Sequence, residues 1–221
     1  ENGEVVYIED DELKSLKPFP LRKKRPCIFE YIYFSRPDSL LDGITAYEYR
    51  KKLGAELSKE DKIKADLVVP VPDSGNAAAI GYSQSKNIKF DLGLIRNHYV
   101  GRTFIEPAQK IRSLGVKLKL NANKSSIKNK IVVLVDDSLV RGTTSYKIVN
   151  MLYEAGAKEV HLRIASPEIK YPDFYGIDMP SKKELLAANM SVDEICQYVK
   201  AKSLKFLSID GLYKAIGYEK R

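Results

Sequence analysis

The chain has 221 residues, enough for one substantial core or a core with a small appendage. A content of 44% hydrophobic and 30% charged residues is that of a soluble globular protein, and no apolar run approaches the roughly 20 residues that span a bilayer. Lys and Arg number 37 against 29 Asp and Glu, and the net charge of +8 suits an anionic partner: nucleic acid, a membrane surface or a phosphorylated small molecule.

The acidic start, Glu1 to Asp11, is not the pattern of a secretory leader. The two cysteines, Cys27 and Cys196, are too far apart for a CxxC pair, so a cytoplasmic protein with reduced thiols is expected.

Residues 1–26 read as a connector, with a short strand at Val5–Ile8, an acidic patch at Glu9–Glu12 and a solvated basic run at Arg22–Arg25. Ile28–Phe34 is rich in β-branched and aromatic residues and predicts a strand. Asp42 reads as the N-cap of a helix that carries Ala46, Tyr49, Leu53 and Leu57 at helical spacing. Leu67–Val71 predicts a short buried strand, followed by the turn Asp73-Ser74-Gly75 and an Ala-rich helix through Ala77–Ile80. Phe90–Ile95 is another strand candidate. Residues 96–129 read as one long basic loop, of a length that is usually functional or mobile.

Ile131–Val135 is a continuous apolar run, as a strand in a parallel sheet requires. Thr143–Ala155 predicts a helix ended by Gly156, and Val160, Leu162 and Ile164 a further strand, giving a right-handed strand–helix–strand crossover. The C-terminal part reads as helical, with capping boxes at Ser181–Glu184 and Ser191–Glu194 and a last helix over Gly211–Gly217. The expected fold class is α/β: a parallel sheet with helices on both faces and a helical C-terminal extension from about residue 178.

The segment Val132-Val133-Leu134-Val135-Asp136-Asp137-Ser138-Leu139-Val140-Arg141-Gly142-Thr143-Thr144 carries the strongest chemical signal. A buried strand delivers two adjacent carboxylates to its carboxyl end, where ligands of open α/β sheets bind. A loop of small and hydroxyl residues then opens a helix, whose free N–H groups and positive dipole end suit a phosphate. Gly142 permits close backbone approach, while Thr143 and Thr144 add hydroxyl donors. Asp136 and Asp137 would be repelled by a phosphate and suit ribose hydroxyls or Mg²⁺. No Walker A spacing is present. A second segment, Val71-Pro72-Asp73-Ser74-Gly75, also lies between a strand and a helix. A third, Leu94 to Pro107 followed by Gln109 and Arg112, is basic enough to close over an anionic substrate and exclude water.

The first segment resembles the phosphoribosyl pyrophosphate (PRPP) signature of type I phosphoribosyltransferases. The resemblance implies that Asp73, Ser74 and Gly75 form a pyrophosphate loop. It further implies that Asp136, Asp137, Ser138, Arg141, Gly142, Thr143 and Thr144 hold the ribose and its 5-phosphate. Ser74, Asp136 and Asp137 are the metal-linked positions, with Mg²⁺ as cofactor. Together with Tyr31–Ser39 and Tyr175–Asp178, the third segment resembles glutamine phosphoribosylpyrophosphate amidotransferases from about residue 27 to 217. That family makes phosphoribosylamine in the first committed step of purine synthesis. Arg96, Tyr99, Arg102 and Lys110 or Arg112 are then the candidates for a catalytic closing loop, and PRPP and ammonia are the substrates.

Segment 1–26 resembles the tail of the family's glutaminase domain, and residues 27–221 the phosphoribosyltransferase domain. The family's glutaminase domain begins with a nucleophilic cysteine, whereas this chain begins with Glu1 and has no room for that domain, so ammonia and not glutamine is the expected nitrogen donor, with a glutaminase domain or chain as a possible partner. Some family members hold an iron–sulfur cluster, but Asp173 occupies a ligand position and no cluster is expected. Cys27 is then expected as a buried small residue, and His161 as a structural one. A homo-oligomer is expected; a membrane or nucleic-acid partner is not. A nucleobase-salvage phosphoribosyltransferase and a PRPP-sensing regulator are the alternatives.

Overall fold

The computed structural model describes residues 3–22, 26–97, 99, 119–173 and 181–217. It opens with a hairpin, β1 (Val5–Glu9) on β2 (Glu12–Leu16), turned by Asp10 and Asp11 at positive φ. The strand expected at Val5–Ile8 is thus present, with a partner that the sequence reading did not supply.

Ile28–Phe34, expected as a strand, is helical, with a π-helical turn over Glu30–Phe34. Tyr31 and Ile32 are both buried, which a strand could not do on one face because successive side chains alternate. Tyr31 meets Tyr49 edge-on with ring centroids 4.8 Å apart, and its hydroxyl donates to Asp42 Oδ2 at 2.7 Å. Asp42 is therefore not an N-cap. It sits with Gly43 in the positive-φ turn between β3 (Leu40–Leu41) and β4 (Ile44–Thr45), the Asp-Gly chemistry of a tight hairpin. Thr45 caps α1 (Ala46–Glu60), accepting from the Glu48 N–H at 3.2 Å.

The strand β5 (Leu67–Pro70) is buried throughout and leads into α2 (Asn76–Lys86). Helices α1 and α2 touch backbone to backbone. A Cβ on Gly54 would lie 1.8 Å from the Ala78 carbonyl oxygen, and one on Gly81 would lie 1.9 Å from that of Lys51.

Phe90 makes only an isolated bridge to Val68; the strand β6 (Leu94–Arg96) begins later than expected. It pairs antiparallel with β7 (Leu120–Ala122), and α3 (Lys124–Ile127) follows, so the region expected as one loop over 96–129 ends in regular structure.

Then come β8 (Ile131–Asp136), α4 (Thr143–Glu154) and β9 (Glu159–Ile164), with Gly156 at φ 93 after the helix. The chain ends with α5 (Leu186–Asn189), α6 (Val192–Val199), β10 (Ser203–Phe206) and α7 (Ile209–Ile216). The capping box expected at Ser191 is formed on α6. The one expected at Ser181 is not: Ser181 heads a 3₁₀ turn, Lys182–Glu184, without a side-chain cap, because Glu184 reaches Arg141 instead.

The central sheet is parallel, in the order β10-β9-β8-β5. The C-terminal extension is therefore not wholly helical; it supplies an edge strand. Period-two alternation along β8 feeds two cores. Val132 and Leu134 join Ile148, Val149 and Leu152 of α4 with Ile195 and Val199 of α6. Val133 and Val135 join Tyr49, Leu53 and Leu57 of α1, Ala78 and Tyr82 of α2, and Leu212 of α7. Helices cover both faces, as expected. Among the described residues no helix is long and apolar enough to cross a membrane.

One buried polar network lies under the second core. Asp61 Oδ2 accepts from Arg163 Nε and from the Tyr82 hydroxyl, each at 2.5 Å, and Arg163 Nη1 reaches the Ser203 hydroxyl at 3.0 Å. His161 bonds Ser203 at 2.8 Å and Glu159 at 3.1 Å, in the structural position expected of it. Burial alone would raise the Asp61 carboxyl, but the hydrogen bonds from Arg163 and Tyr82 outweigh it and hold Asp61 below its ordinary value. That contribution is present above the unfolded carboxylate value of about 3.9 and is lost as pH falls through the lower folded value. Arg163→Met should cost roughly 3–5 kcal/mol at pH 7, because it strands a buried carboxylate. Urea unfolding at pH 7 and at pH 3 should show the deficit shrinking in acid.

Candidate active site at the carboxyl edge of the sheet

Strands β5 and β8 are parallel neighbours, so both deliver their carboxyl ends, and the loops beyond them, to one place. The loop after β5 is tied down by backbone hydrogen bonds: Val71 N–H to the Val135 carbonyl at 2.8 Å, and Gly75 N–H to the Val71 carbonyl at 2.9 Å. Gly75 is required there, since a Cβ would stand 2.5 Å from the Val135 oxygen and 2.8 Å from the Val71 oxygen. The Pro72–Asp73 peptide is cis. Ser74 is half-buried, and its hydroxyl is among the groups that draw the Asp137 carboxyl downward.

Asp136 and Asp137 are both buried. The Asp137 N–H donates to Asp136 Oδ1 at 2.9 Å, and the Ser138 hydroxyl donates to Asp137 Oδ1. Burial pushes the Asp136 carboxyl well above its ordinary value, and the neighbouring Asp137 charge adds to the effect. Burial raises Asp137 as well, against hydrogen bonds from Ser138 and Ser74 and the positive charge of Arg50. Two carboxylates in one buried place call for a cation. Among the described residues no group of three His, Cys, Asp or Glu gathers to hold a metal. An oxygen-seeking ion such as Mg²⁺ fits this edge if substrate oxygens complete its shell beside Asp136, Asp137 and Ser74.

Gly142, at φ 68, precedes α4, and no side chain caps that helix. Its first-turn N–H groups and the exposed Thr143 and Thr144 therefore face outward beside the carboxylates, as an anion requires. Arg141 is engaged by Glu184, with Nε to Oε2 at 2.7 Å.

From β6, Arg96 Nη1 reaches the Asp73 carboxylate across the loop. Its Nε is buried without a hydrogen-bond partner among the described residues, as are Asn76 Oδ1 and Ser166 Oγ near the same edge.

The structure thus gathers Asp73, Ser74, Gly75, Arg96 and the stretch Asp136–Thr144. Tyr99, expected in the closing loop, is fully exposed, and its N–H is held by Asn97 Oδ1 at 3.0 Å. Arg102, Lys110 and Arg112, together with His98 and Tyr175–Asp178, lie outside the described residues. Cys27 is exposed and not buried as expected, because the helical turn that follows it buries Tyr31 and Ile32 instead; Cys196 is half-buried.

Arg50 escaped sequence reasoning. It sits mid-helix among Lys51 and Lys52, yet its Nη2 donates to the Ser35 carbonyl at 2.7 Å and its Nε to that of Tyr31 at 3.2 Å. The only sequence signal for its burial was position: it follows Tyr49 and stands four residues after Ala46 on the apolar stripe.

This edge sets a carboxylate pair on one strand end, a tight loop on the neighbouring strand and an uncapped helix start just after the carboxylates, the layout that the phosphoribosyltransferase resemblance implies. No protein-family model matches the chain. Its relatives are amidophosphoribosyltransferases. That of Rhizobium etli is 55% identical over 227 residues, spanning 100% of this chain and 46% of that protein. That of Bacillus subtilis is 52% identical over 218 residues, spanning 98% of this chain and 46% of that protein.

The solved structure of the B. subtilis glutamine PRPP amidotransferase complexed with ADP and GMP superposes with a TM-score of 0.86 at 51% identity, over 99% of this chain and 48% of that one. A structure described as the allosteric regulatory enzyme of purine biosynthesis gives a TM-score of 0.87, again at 51% identity over 99% and 48%. The chain spans a little under half the length of these relatives.

The raised carboxyls make an electrostatic prediction. A carboxyl with a folded value above its unfolded one contributes stability that is present below about pH 3.9 and lost as pH rises through the folded value. Asp136→Asn keeps an acceptor for the Asp137 N–H and removes one charge. It should stabilise the ligand-free protein by roughly 1–3 kcal/mol at pH 8 and by little at pH 4. Thermal unfolding of both proteins at the two pH values checks this.

Proposed function

We propose that this domain carries out the phosphoribosyl-transfer half of an amidophosphoribosyltransferase, joining ammonia to the anomeric carbon of PRPP. One observation carries the reading. The two motif loops, far apart in sequence, are pinned together by the Val71 N–H on the Val135 carbonyl and by the close seat of Gly75 on that same oxygen, beside an uncapped helix start. Similarity to amidophosphoribosyltransferases across the chain supports ammonia as the nucleophile.

In this reading the loop Val71–Gly75 receives the pyrophosphate on its backbone N–H groups. Asp136 and Asp137 take the ribose hydroxyls and, with Ser74, hold Mg²⁺, which when bound supplies charge to the departing pyrophosphate. Ser138, Arg141, Gly142, Thr143 and Thr144 receive the 5-phosphate at the start of α4. Arg96 turns from Asp73 to the pyrophosphate. Arg102 and Lys110 or Arg112 complete the cationic cover and exclude water, which would otherwise intercept the electron-poor ribosyl carbon.

The nitrogen lone pair of ammonia forms the N–C1 bond as the C1–O bond breaks. The bonding electron pair leaves on pyrophosphate, the centre inverts, and the bound ammonium loses one proton to solvent. Preorganised positive charge around the leaving group contributes most of the rate. A glutaminase domain or a separate chain would deliver the ammonia.

Pyrophosphate release from PRPP and Mg²⁺ tests the proposal. The 221-residue chain should release pyrophosphate with ammonium and not with glutamine. Asp137→Asn should slow release about 100-fold or more. Turnover of a nucleobase in place of ammonium would move the domain to the salvage class. PRPP binding without any turnover would make it a regulator.

A further inference from the structure

We infer that Glu184 is a positioning residue for phosphate recognition, acting by holding the Arg141 guanidinium in a fixed orientation beside the start of α4. The inference rests on the proposal that Asp136–Thr144 receives PRPP. The bond runs from Arg141 Nε to Glu184 Oε2 at 2.7 Å. A guanidinium held by Nε keeps both terminal nitrogens for a second anion, and two parallel N–H donors match a phosphate. Glu184 thus occupies the back of the fork and leaves its front open.

The carboxylate is itself anchored. The Leu186 N–H donates to the Val140 carbonyl at 2.9 Å, one residue before Arg141, and Leu185 is fully buried. The Asn189 side-chain amide donates to the carbonyls of Lys182 at 2.9 Å and Leu185 at 2.7 Å, fixing the 3₁₀ turn that presents Glu184. Leu186 Cδ2 lies 2.6 Å from where a Cβ on Gly142 would be, so this turn packs on the phosphate loop itself.

Two further facts separate positioning from simple stabilisation. Both side chains of the pair are about half-exposed, at 52% and 50%, a setting where an ion pair adds little to stability. The local alternative, a capping box with Ser181, is unused although the sequence offers it.

The test measures PRPP binding by calorimetry with Mg²⁺, KM and kcat with ammonium, and Tm, all on the 221-residue protein. Glu184→Ala should raise both Kd and KM for PRPP about tenfold, with kcat within about twofold and Tm within about two degrees. Glu184→Gln retains an acceptor oxygen and should stay within about threefold of the parent. Arg141→Ala should raise KM at least as much, and adding Glu184→Ala to it should bring no further loss.

An unchanged Kd in Glu184→Ala, or additive losses in the double variant, would overturn this inference alone. A fall in Tm and kcat without a change in KM would reassign Glu184 to folding. Absence of PRPP binding by the unaltered chain would overturn the PRPP proposal, and this inference with it.

Discussion

Two neighbouring carboxylates buried at the end of one strand are the constraint around which the rest of this fold is arranged. Asp136 and Asp137 are both pushed toward protonation by burial, and in Asp136 by its neighbour's charge as well. Such a pair is costly without a cation, and the protein does not offset it by exposing the pair to water. It supplies partial compensation from fixed groups instead: the hydroxyls of Ser74 and Ser138 and, from α1, the charge of Arg50. In the proposed function, what is left uncompensated would favour a hard cation and hydroxyl donors, which a metal-bound phosphoribosyl group offers.

Fixing that pair requires β8 to be immobile, which explains why it is buried on both faces. α4 and α6 close one side, while α1, α2 and α7 close the other. The close approach of α1 and α2 at Gly54 and Gly81 holds α1 near the sheet, which keeps Arg50 close enough for its charge to act on Asp137. The Asp61–Arg163–Tyr82 network ties the loop after α1 to β9 and α2 in the same layer. Catalytic geometry and core packing are therefore one problem here: the residues that pack α1 against α2 also set the field at the carboxylates.

The parts legible in the sequence were those where one local rule acted alone. The apolar run Ile131–Val135 could only be a doubly buried strand, and the carboxylates that follow could only emerge at its carboxyl end. Ile28–Phe34 misled because β-branched and aromatic residues favour strands only where a pleated neighbour exists. Here they pack on Tyr49 as a helical turn. Ser203–Phe206 was missed because an edge strand that is only partly buried, with Lys205 in it, shows neither alternation nor a continuous apolar run. Ser181–Glu184 carried the letters of a capping box, but a tertiary partner, Arg141, competed for the carboxylate and won. Arg50 looked like one more charge on a helix, since burial of a long cationic side chain depends on carbonyls contributed from elsewhere in the chain.

The cationic side of the site is built on the opposite principle from the carboxylates. Arg96 is held by Asp73, and Arg141 by Glu184, each pair partly open to solvent. Ion pairs in such a setting are weak and screened. That weakness would suit the highly charged ligand proposed for this site. A free arginine would lose side-chain entropy on binding, and a deeply buried pair would be too costly to break. A half-exposed pair restrains the guanidinium near its working position at little cost in stability and leaves its remaining donors open to an anion. The fold thus separates a rigid, costly anion pair on one strand from partly exposed cations, Arg96 at the end of β6 and Arg141 before α4, each steadied by a carboxylate. In the proposed function the first would meet metal and hydroxyls, and the second phosphate and pyrophosphate.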